Sequence, residues 1–368
     1  MRSGFRWVGQ TQRHGHPHRR SNTMKITQIA AAGALFGLAA GQSYAEDVTL
    51  RYSSWLPAQH HVNTEVMYPW FEQIEQVTEG RVKVQTLPKM VGTAAGQFDV
   101  VRDGLADVSF IVTGYTPGRF VLSEMGEMSW VGNDPSTFGP IFWDIYKEYI
   151  EPLGEFDGVK VMTMISNAPG NIVTVGKEIN SMEDLKGVKL RSSGPYATSM
   201  LEAVGAVPIL KSSNEAYEMM STGVIDGSLA QPETVINMNM LDLGKHYTII
   251  PGGLFSAALG MIMNEDSWAR ISPEDQKAIW AISGDELAQE LADDFANAGA
   301  IAMEQMEAKE SMTVKTIGDD FLAELKEATR PLEEEWAARA REKGMENPLE
   351  VLAEFRRRVS DAESAPSN

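Results

Sequence analysis

Cysteine is absent from the 368 residues, and histidine is scarce. Without cysteine the chain forms no disulfide bond, no cysteine-ligated zinc site and no thiol nucleophile. Only His60, His61 and His246 lie beyond residue 45, and no pair has the His-x3-His spacing of a metal site on a helix. Adjacent histidines rarely bind one metal ion, so we predict no metal site.

The motifs of common enzyme classes are also missing. The sequence has no Gly-x-Ser-x-Gly motif of a serine hydrolase, and no dinucleotide-binding fingerprint follows a predicted strand. The glycine-containing stretch at residues 92–96 lacks the Lys-Ser/Thr of a phosphate-binding loop and fits the start of a helix. We therefore expect a protein that is not an enzyme and has no cofactor.

Basic residues and long apolar runs are both few. Residues 46–368 contain 26 basic and 51 acidic residues, a formal net charge of −25. A surface this acidic repels nucleic acids and anionic lipids, so we expect neither as a partner. No apolar run beyond residue 45 reaches the ~18 residues of a membrane span, and we expect no direct membrane insertion.

The N-terminal residues have the pattern of an export signal. A positive residue follows Met24, residues 26–40 are apolar, and Ser43 and Ala45 place small side chains where a signal peptidase reads them. We expect cleavage after Ala45. Residues 1–23 are expected to be an upstream extension, with Met24 the true start. A buried N-terminal helix is the alternative.

Strands and helices alternate at the start of the remaining chain. Segments typical of strands lie at residues 48–54, 81–87 and 108–112, and helical patterns at residues 61–79 and 98–103 separate them. This β-α-β-α-β order is typical of an α/β lobe with parallel strands.

A second part of the chain repeats this pattern. FDVVRDGLADVS (98–109) and YEMMSTGVIDGS (217–228) both lead from an aromatic residue through an amphipathic turn to Gly, two apolar residues, Asp and Ser. Strands are predicted at residues 188–191 and 224–227 in this part. Chance similarity would explain one such match, but similar helix–Gly–strand junctions precede both in the same order. The repetition favours two related lobes.

Helical patterns dominate the C-terminal third. One pattern starts at Ser272-Pro273 and continues from residue 276 towards residue 307, which is long enough to bridge two lobes. A further charged helix is predicted for residues 321–343. Residues 359–368 are expected to form a frayed tail.

Arg191 is the strongest candidate for contact with a ligand. It ends a predicted strand and is followed by Ser192-Ser193-Gly194, and ligands of open α/β sheets bind beyond the carboxyl ends of strands. Its guanidinium presents a fork of donors that matches a carboxylate. A surface arginine paired with a nearby acid fits the spacing equally well.

Aromatic and polar residues at other strand ends complete a candidate pocket. Trp55 follows the first predicted strand, Tyr115 follows the third, and Phe255 lies in a glycine-rich segment. His60 also follows the first strand, and Gln231-Pro232-Glu233 follows a later one. Each aromatic residue, taken alone, fits the core better than a ligand wall, and His60 fits a helix cap equally well.

Several motifs, taken together, resemble a known family. They are DLKGVKLR (184–191), GVIDG (223–227), TEGRVKV (78–84), TPGRF (116–120) and MNEDSW (263–268). In order and spacing they resemble the solute-binding proteins of tripartite ATP-independent periplasmic (TRAP) transporters of the DctP type. The resemblance implies a periplasmic receptor that captures a small organic acid. It also implies partners, the small and large integral membrane subunits of a TRAP transporter.

The resemblance implies an architecture as well. The expected fold class is α/β, a two-lobed periplasmic-binding-protein (flytrap) fold with crossover strands and a long helix spanning both lobes. Residues 46–168 and 254–295 would form lobe I, and residues 169–253 and 296–358 would form lobe II.

By the same resemblance, Arg191 is the arginine that clamps a carboxylate. Family members often have a second arginine shortly before it, where this chain has Asn171. This difference favours a monocarboxylate with polar or aromatic character over a C4-dicarboxylate or a sialic acid. The other predicted ligand-binding residues are Trp55, Ser54, His60, Thr113, Tyr115, Gly194, Ser213, Gln231, Glu233 and Phe255.

Three competing functions stay open. The first is a binding protein of another importer class, which the neighbouring genes would distinguish. The second is a sensory ligand-binding subunit, which would bind without transport. The third is a periplasmic enzyme, for which Glu233 and His60 are the only suggestive acid–base pair, and turnover of an added acid would support it.

Overall fold

The computed structural model describes residues 47–365. The predicted export signal and its upstream extension lie outside the described residues. The strands are β1 (Val48–Ser53), β2 (Val82–Thr86), β3 (Val108–Val112), β4 (Val159–Ser166), β5 (Asn171–Thr174), β6 (Lys189–Ser192), β7 (Val207–Leu210), β8 (Gly227–Ala230), β9 (His246–Ile249), β10 (Ala258–Asn264) and β11 (Thr313–Thr316).

Helices connect most of these strands. They are α1 (Tyr68–Val77), α2 (Gln97–Arg102), α3 (Pro135–Ile145), α4 (Met182–Leu185), α5 (Pro195–Ala203), α6 (Ala216–Ser221), α7 (Pro232–Asn237), α8 (Glu265–Ala269), α9 (Pro273–Trp280), α10 (Asp285–Glu307), α11 (Asp319–Thr329), α12 (Pro331–Glu342) and α13 (Pro348–Glu363). A π-helical turn, Val62–Met67, immediately precedes α1.

The strands form two sheets with related topology. The first sheet has the order β2-β1-β3-β10-β4, and the second has the order β11-β9-β5-β8-β6-β7. In the first, β1 is parallel to β2 and β3, and β10 is antiparallel to β3 and β4. In the second, β6 is parallel to β7 and β8, and β5 is antiparallel to β8 and β9. The molecule therefore has two α/β lobes, as predicted.

The aspartate of the sequence repeat has the same role in both lobes. The backbone N–H of Asp107 donates to Arg51 O, and Asp107 Oδ2 accepts from Arg51 N at 2.7 Å. In the same way, Asp226 N–H donates to Lys189 O, and Asp226 Oδ2 accepts from Lys189 N at 2.8 Å. Each aspartate thus ties the turn before one strand, β3 or β8, to the neighbouring strand, β1 or β6. That neighbour is the middle one of three parallel strands.

One strand prediction in this repeat was wrong. The strand predicted at residues 224–227 begins only at Gly227 and forms β8. Val224 is 50% exposed and lies in the turn, because Asp226 caps the neighbouring strand before β8 starts. The two apolar residues after the glycine therefore belong to the turn.

Two segments of chain run side by side where they pass between the lobes. Residues 167–170 connect β4 with β5, and residues 250–257 connect β9 with β10. Gly170 and Phe255 form an antiparallel bridge, in which Gly170 N–H donates to Phe255 O at 2.7 Å. A Cβ on Gly170 would lie 1.9 Å from the Phe255 ring. Only glycine therefore permits this approach.

A third link between the lobes is α10. It packs against α3 and β4 of the first lobe and against α7 and β11 of the second. The helix predicted to continue from residue 276 is broken, because Gly284 has a φ of +56° and separates α9 from α10. Gly284 is bonded to β4 through Met162 O and the Thr163 hydroxyl, which anchors the start of the new helix.

The C-terminal helices also differ from the prediction. The helix predicted at residues 321–343 is interrupted at Arg330-Pro331 and forms α11 and α12. The predicted tail from residue 359 is helical through Glu363, and Val359 is buried. Most of α13 was predicted to belong to lobe II, but this helix packs against α3 of the first lobe. The residue boundaries of the two lobes stay a prediction.

The core of each lobe lies between its sheet and its helices. Tyr52, Trp70 and Ile74 are fully buried in the first lobe, and Leu190, Leu201 and Leu229 in the second. Within residues 47–365, no helix is both long and apolar enough to cross a membrane.

Candidate ligand-binding site

A cavity lies between the two lobes, beyond the carboxyl ends of β1, β3, β6 and β8. The empty space in and around it is about 460 Å³, a figure that includes open solvent. This position is the usual one for ligands of open α/β sheets. Six predicted residues line it: Trp55, His60, Tyr115, Arg191, Ser213 and Gln231.

Arg191 provides a buried positive charge in this cavity. It lies on β6, and only 2% of its surface is exposed. Its Nε donates to Lys211 O at 2.7 Å, Nη1 donates to Leu229 O at 3.2 Å, and Nη2 donates to the Tyr115 hydroxyl at 3.3 Å. Burial lowers the pKa of Arg191, although the nearby Tyr115 opposes this effect.

The partners of Arg191 are neutral. Among residues 47–365, no carboxylate oxygen lies within the 4.0 Å of an ion pair from its guanidinium. A buried charge without a counter-ion is costly, and an anion that enters the cavity would remove part of that cost. The surface ion pair that the sequence left open for Arg191 is therefore not formed.

Tyr115 connects the two lobes at this end of the cavity. It follows β3 in a short 3₁₀ turn, and its hydroxyl accepts from Ser213 N–H at 3.0 Å and contacts Ser213 Oγ at 3.2 Å. Its ring packs edge-on against Trp55, with ring centroids 5.6 Å apart. Ser213 is held in place because Ser212 and Glu215 form a capping box around it. These contacts hold the lobes together beside Arg191.

His60 supplies a neutral polar group. Its Nδ1 accepts from Val62 N–H at 3.3 Å, which places the ring proton on Nε2. Burial, followed by the nearby His61, lowers the pKa of His60 well below 6.5. The ring therefore stays neutral at physiological pH and offers one N–H donor.

Apolar side chains form the remaining walls, and amides form part of the floor. The Gln231 amide donates to Asn167 Oδ1 at 3.0 Å, which joins the end of β8 to the end of β4. None of the described residues that line the cavity is acidic. The lining residues outside our prediction are Leu56, Phe110, Val112, Asn167, Ser193, Thr234, Met238, Ala257, Leu259 and Phe295.

Strand periodicity contains a signal for some of these residues. Phe110 and Val112 are two residues apart and therefore share one face of β3, and Asn167 directly follows β4. Phe295 has no such signal, because its place depends on how α10 packs between the lobes.

Three other predicted residues lie close to the cavity but not in its lining. Ser54 Oγ contacts Asn63 Oδ1 at 3.4 Å. Thr113 Oγ1 donates to Glu127 Oε1 at 3.0 Å. Gly194 lies against the same carboxyl group, so closely that a Cβ added to it would lie 2.5 Å from Glu127 Oε2. Burial at the junction between the lobes raises the pKa of Glu127 well above its usual value.

The remaining three predicted residues face away from the cavity. Asn171 bonds to the Tyr247 hydroxyl at 3.1 Å and to Ile250 N–H at 2.8 Å. Phe255 packs on Gly170 between the lobes. Glu233 is buried at the start of α7, and burial raises its pKa to about 7. The suggested pair of Glu233 and His60 is therefore not brought together in the cavity lining.

Comparison with protein families identifies the chain. Residues 52–340 match the family model of bacterial extracellular solute-binding proteins, family 7, named DctP. Among curated proteins, a Comamonas testosteroni protein described as the outer membrane transporter protein TsaT is 26% identical, over 90% of this chain and 98% of its own length.

Solved structures agree in fold. A TRAP periplasmic solute-binding protein from Bordetella bronchiseptica with bound (R)- and (S)-mandelate is 35% identical, with a TM-score of 0.82 over 86% of this chain and 99% of its own. A TRAP solute-binding protein of an unidentified marine microbe, specific for aromatic acids and bound to meta-hydroxyphenylacetate, is 27% identical, with a TM-score of 0.80 over 85% and 99%. The two-lobed fold and the resemblance seen in the sequence are thereby confirmed. This chain belongs to the DctP family, family 7 of bacterial extracellular solute-binding proteins, and is a solute-binding protein of the TRAP type.

Proposed function

We propose that this solute-binding protein captures a small monocarboxylate with an aromatic group and delivers it to the membrane subunits of a TRAP transporter. The single observation that carries the proposal is the buried Arg191, whose described partners are two carbonyl groups and a tyrosine hydroxyl. A carboxylate is the ligand group that matches its charge and forked geometry.

The walls of the cavity support an aromatic group on the acid. Trp55, Phe110 and Phe295 present rings, and Leu259 and Met238 add aliphatic surface. Stacked or edge-on aromatic contacts are worth ~0.5–1.5 kcal/mol beyond the apolar area that they bury. The aryl carboxylates bound by the two solved relatives have the same combination of one carboxylate and one ring.

A second polar group on the ligand has a partner in His60. The neutral ring lines the cavity and offers one N–H. A hydroxyl or carbonyl oxygen on the ligand would accept this bond. Since Asn171 faces away from the cavity and Arg191 is the only cation among the described lining residues, a second carboxylate would have no counter-ion.

Capture follows from closure of the lobes. An open molecule exposes the cavity, and the ligand carboxylate then binds Arg191 of the second lobe. Closure brings Tyr115 of the first lobe onto Arg191 and Ser213, excludes water and strengthens each polar contact. The membrane subunits would recognise the closed form in the periplasm and couple release to an ion gradient.

A substitution at Arg191 tests this function. Arg191→Met keeps an unbranched apolar stem but removes the charged guanidinium, and two lost charge-assisted hydrogen bonds at ~1.5–3 kcal/mol each weaken binding roughly 100-fold or more. Isothermal titration of an aryl carboxylate measures the effect. Arg330→Met is the matched control, because the Arg330 side chain is 71% exposed and pairs with Glu327. Wild-type affinity in a folded Arg191→Met protein would place the ligand elsewhere.

A further inference from the structure

A second cavity lies beside the ligand cavity. The empty space in and around it is about 930 Å³, a figure that includes open solvent, and its walls are mainly apolar. The two segments that pass between the lobes form one wall, with Ala168 and Ile250 among its residues. The face of α10 from Phe295 to Met303 forms the other.

One aromatic ring belongs to both cavities. Phe295 is the only described residue that lines each of them. At two other places consecutive residues face different cavities: Asn167 and Ala168 on one segment, and Gln231 and Pro232 on another. The partition between the cavities therefore includes these two stretches of chain and the Phe295 ring, and among the described residues Phe295 is the one that lines both cavities.

The ring of Phe295 is held in position. Only 4% of the residue is exposed, and the ring packs edge-on against His61 with centroids 5.1 Å apart and an interplanar angle of 89°. His61 is itself fixed by a bond between its Nδ1 and Asp294 Oδ2 on α10. The partition is thus an ordered part of the site.

The second cavity suits an uncharged apolar chain. Ala296, Gly299 and Ala300 of α10 leave its space open because their side chains are small. The polar groups at its edge are already bonded, since Asn171 binds Tyr247 and Ile250, and Asp134 caps α3 through Ser136 N–H at 3.0 Å. An added carboxylate would meet the negative charge of Asp134.

We propose that Phe295 limits the length of the ligand by closing the carboxylate-binding cavity off from the second cavity. An apolar extension of the aryl carboxylate is the occupant that the second cavity admits once the ring is removed. The inference rests on the proposed function, because Arg191 must hold the carboxylate end. It adds a specificity-determining residue to that function.

The test is a series of acids of increasing length. Benzoate, 3-phenylpropanoate and 5-phenylpentanoate are titrated calorimetrically into the wild-type protein, Phe295→Ala and Met238→Ala. Wild type should bind the longest acid at least tenfold more weakly than the best short one. In Phe295→Ala the order should reverse, with a gain of roughly fourfold for each methylene that enters the apolar cavity.

Matched controls separate this effect from a loosened site. Of the two cavities, Met238 lines only the ligand cavity, so Met238→Ala should weaken the binding of all three acids without reversing their order. In the Phe295→Ala protein, the added substitution Ala300→Phe should refill the second cavity and remove the gain. Nonanedioate should gain nothing, because its far carboxylate would lie near Asp134. Phe295→Leu serves as a milder variant if the alanine protein is unstable.

The possible failures are distinguishable. Equal affinity of wild type for all three lengths would overturn the role of Phe295 and leave the carboxylate function intact. A folded Phe295→Ala or Phe295→Leu protein that binds benzoate but keeps the wild-type order would do the same. A wild-type protein that binds no carboxylate would overturn the proposed function, and the length limit with it.

Discussion

The hydroxyl of Tyr115 should contribute to ligand affinity through closure of the lobes. Tyr115→Phe keeps the ring, its edge-on contact with Trp55 and its place near the Arg191 guanidinium, 5.9 Å from the ring centroid. It removes the oxygen that accepts from Arg191 and from Ser213 N–H. Only the closed form makes these bonds, because they join residues of different lobes.

The magnitude follows from the groups left behind. A neutral hydrogen bond contributes ~1 kcal/mol net, and a buried donor that loses its acceptor costs ~1–3 kcal/mol. For the donors of Arg191 and Ser213, which are 2% and 6% exposed, we expect a loss of about 3 kcal/mol in the closed form. This corresponds to roughly 100-fold weaker ligand binding.

Calorimetric titration of wild type and Tyr115→Phe measures the loss directly. Tyr217→Phe provides the control, since Tyr217 is 41% exposed and should have wild-type affinity. The unfolding midpoint without ligand checks that the variant folds. If Tyr115→Phe binds within threefold of wild type, the hydroxyl does not hold the closed form and the reasoning fails.

Three further predictions concern stability. Burial raises the pKa of Glu233 from 4.5 to about 7. The wild-type protein should therefore lose ~3 kcal/mol of stability as the pH rises from 4.5 through 7, and Glu233→Gln should not. Parallel pH profiles of the unfolding midpoint in the two proteins would contradict this prediction. Gly170→Ala would place a Cβ 1.9 Å from the Phe255 ring and should destabilise the protein by roughly 3 kcal/mol, as measured by urea unfolding. A Cβ at Gly176 would meet no atom within 4 Å, so Gly176→Ala should be neutral. Equal effects of the two substitutions would refute the packing argument. Arg339→Met should lower the free energy of unfolding by roughly 2 kcal/mol at pH 7, because it leaves the buried Glu124 without its ion pair. This loss should shrink at low pH as Glu124 protonates. A loss that does not change with pH would show that the charge is irrelevant.

Local patterns predicted much of the fold. The first β-α-β-α-β unit lies where alternation and helical spacing placed it, since strands β1, β2 and β3 are parallel neighbours. The repeated Gly-x-x-Asp pattern identified two related lobes because Asp107 and Asp226 bond to equivalent strands. Such signals are local, and each depends on residues that are close in sequence.

Tertiary contacts explain the wrong predictions. The long C-terminal helix was predicted without a break, but bonds from β4 hold Gly284 at a φ of +56°. The break at Pro331 in the helix predicted at residues 321–343 is the exception, because its cause is local: proline has no backbone N–H to continue a helix. Helical periodicity alone cannot show where another element anchors the chain.

The site was predictable only in part for the same reason. Trp55 and Tyr115 follow strands, Arg191 lies near the end of one, and strand ends of one sheet meet at one edge. Phe295 and the separation of Glu233 from His60 depend on how helices α10 and α7 pack, which no spacing in the sequence reveals. The positions of the other predicted residues outside the lining have the same cause.

The central claim is that Arg191 recognises a carboxylate, and one matched pair of ligands tests it most directly. Mandelate and mandelamide have the same ring and hydroxyl and differ in the charge of one group. Isothermal titration into the wild-type protein should show the acid binding at least 100-fold more tightly than the amide, since the amide cannot neutralise the buried guanidinium. Equal binding of the two, or binding only of sugars or amines, would contradict the account.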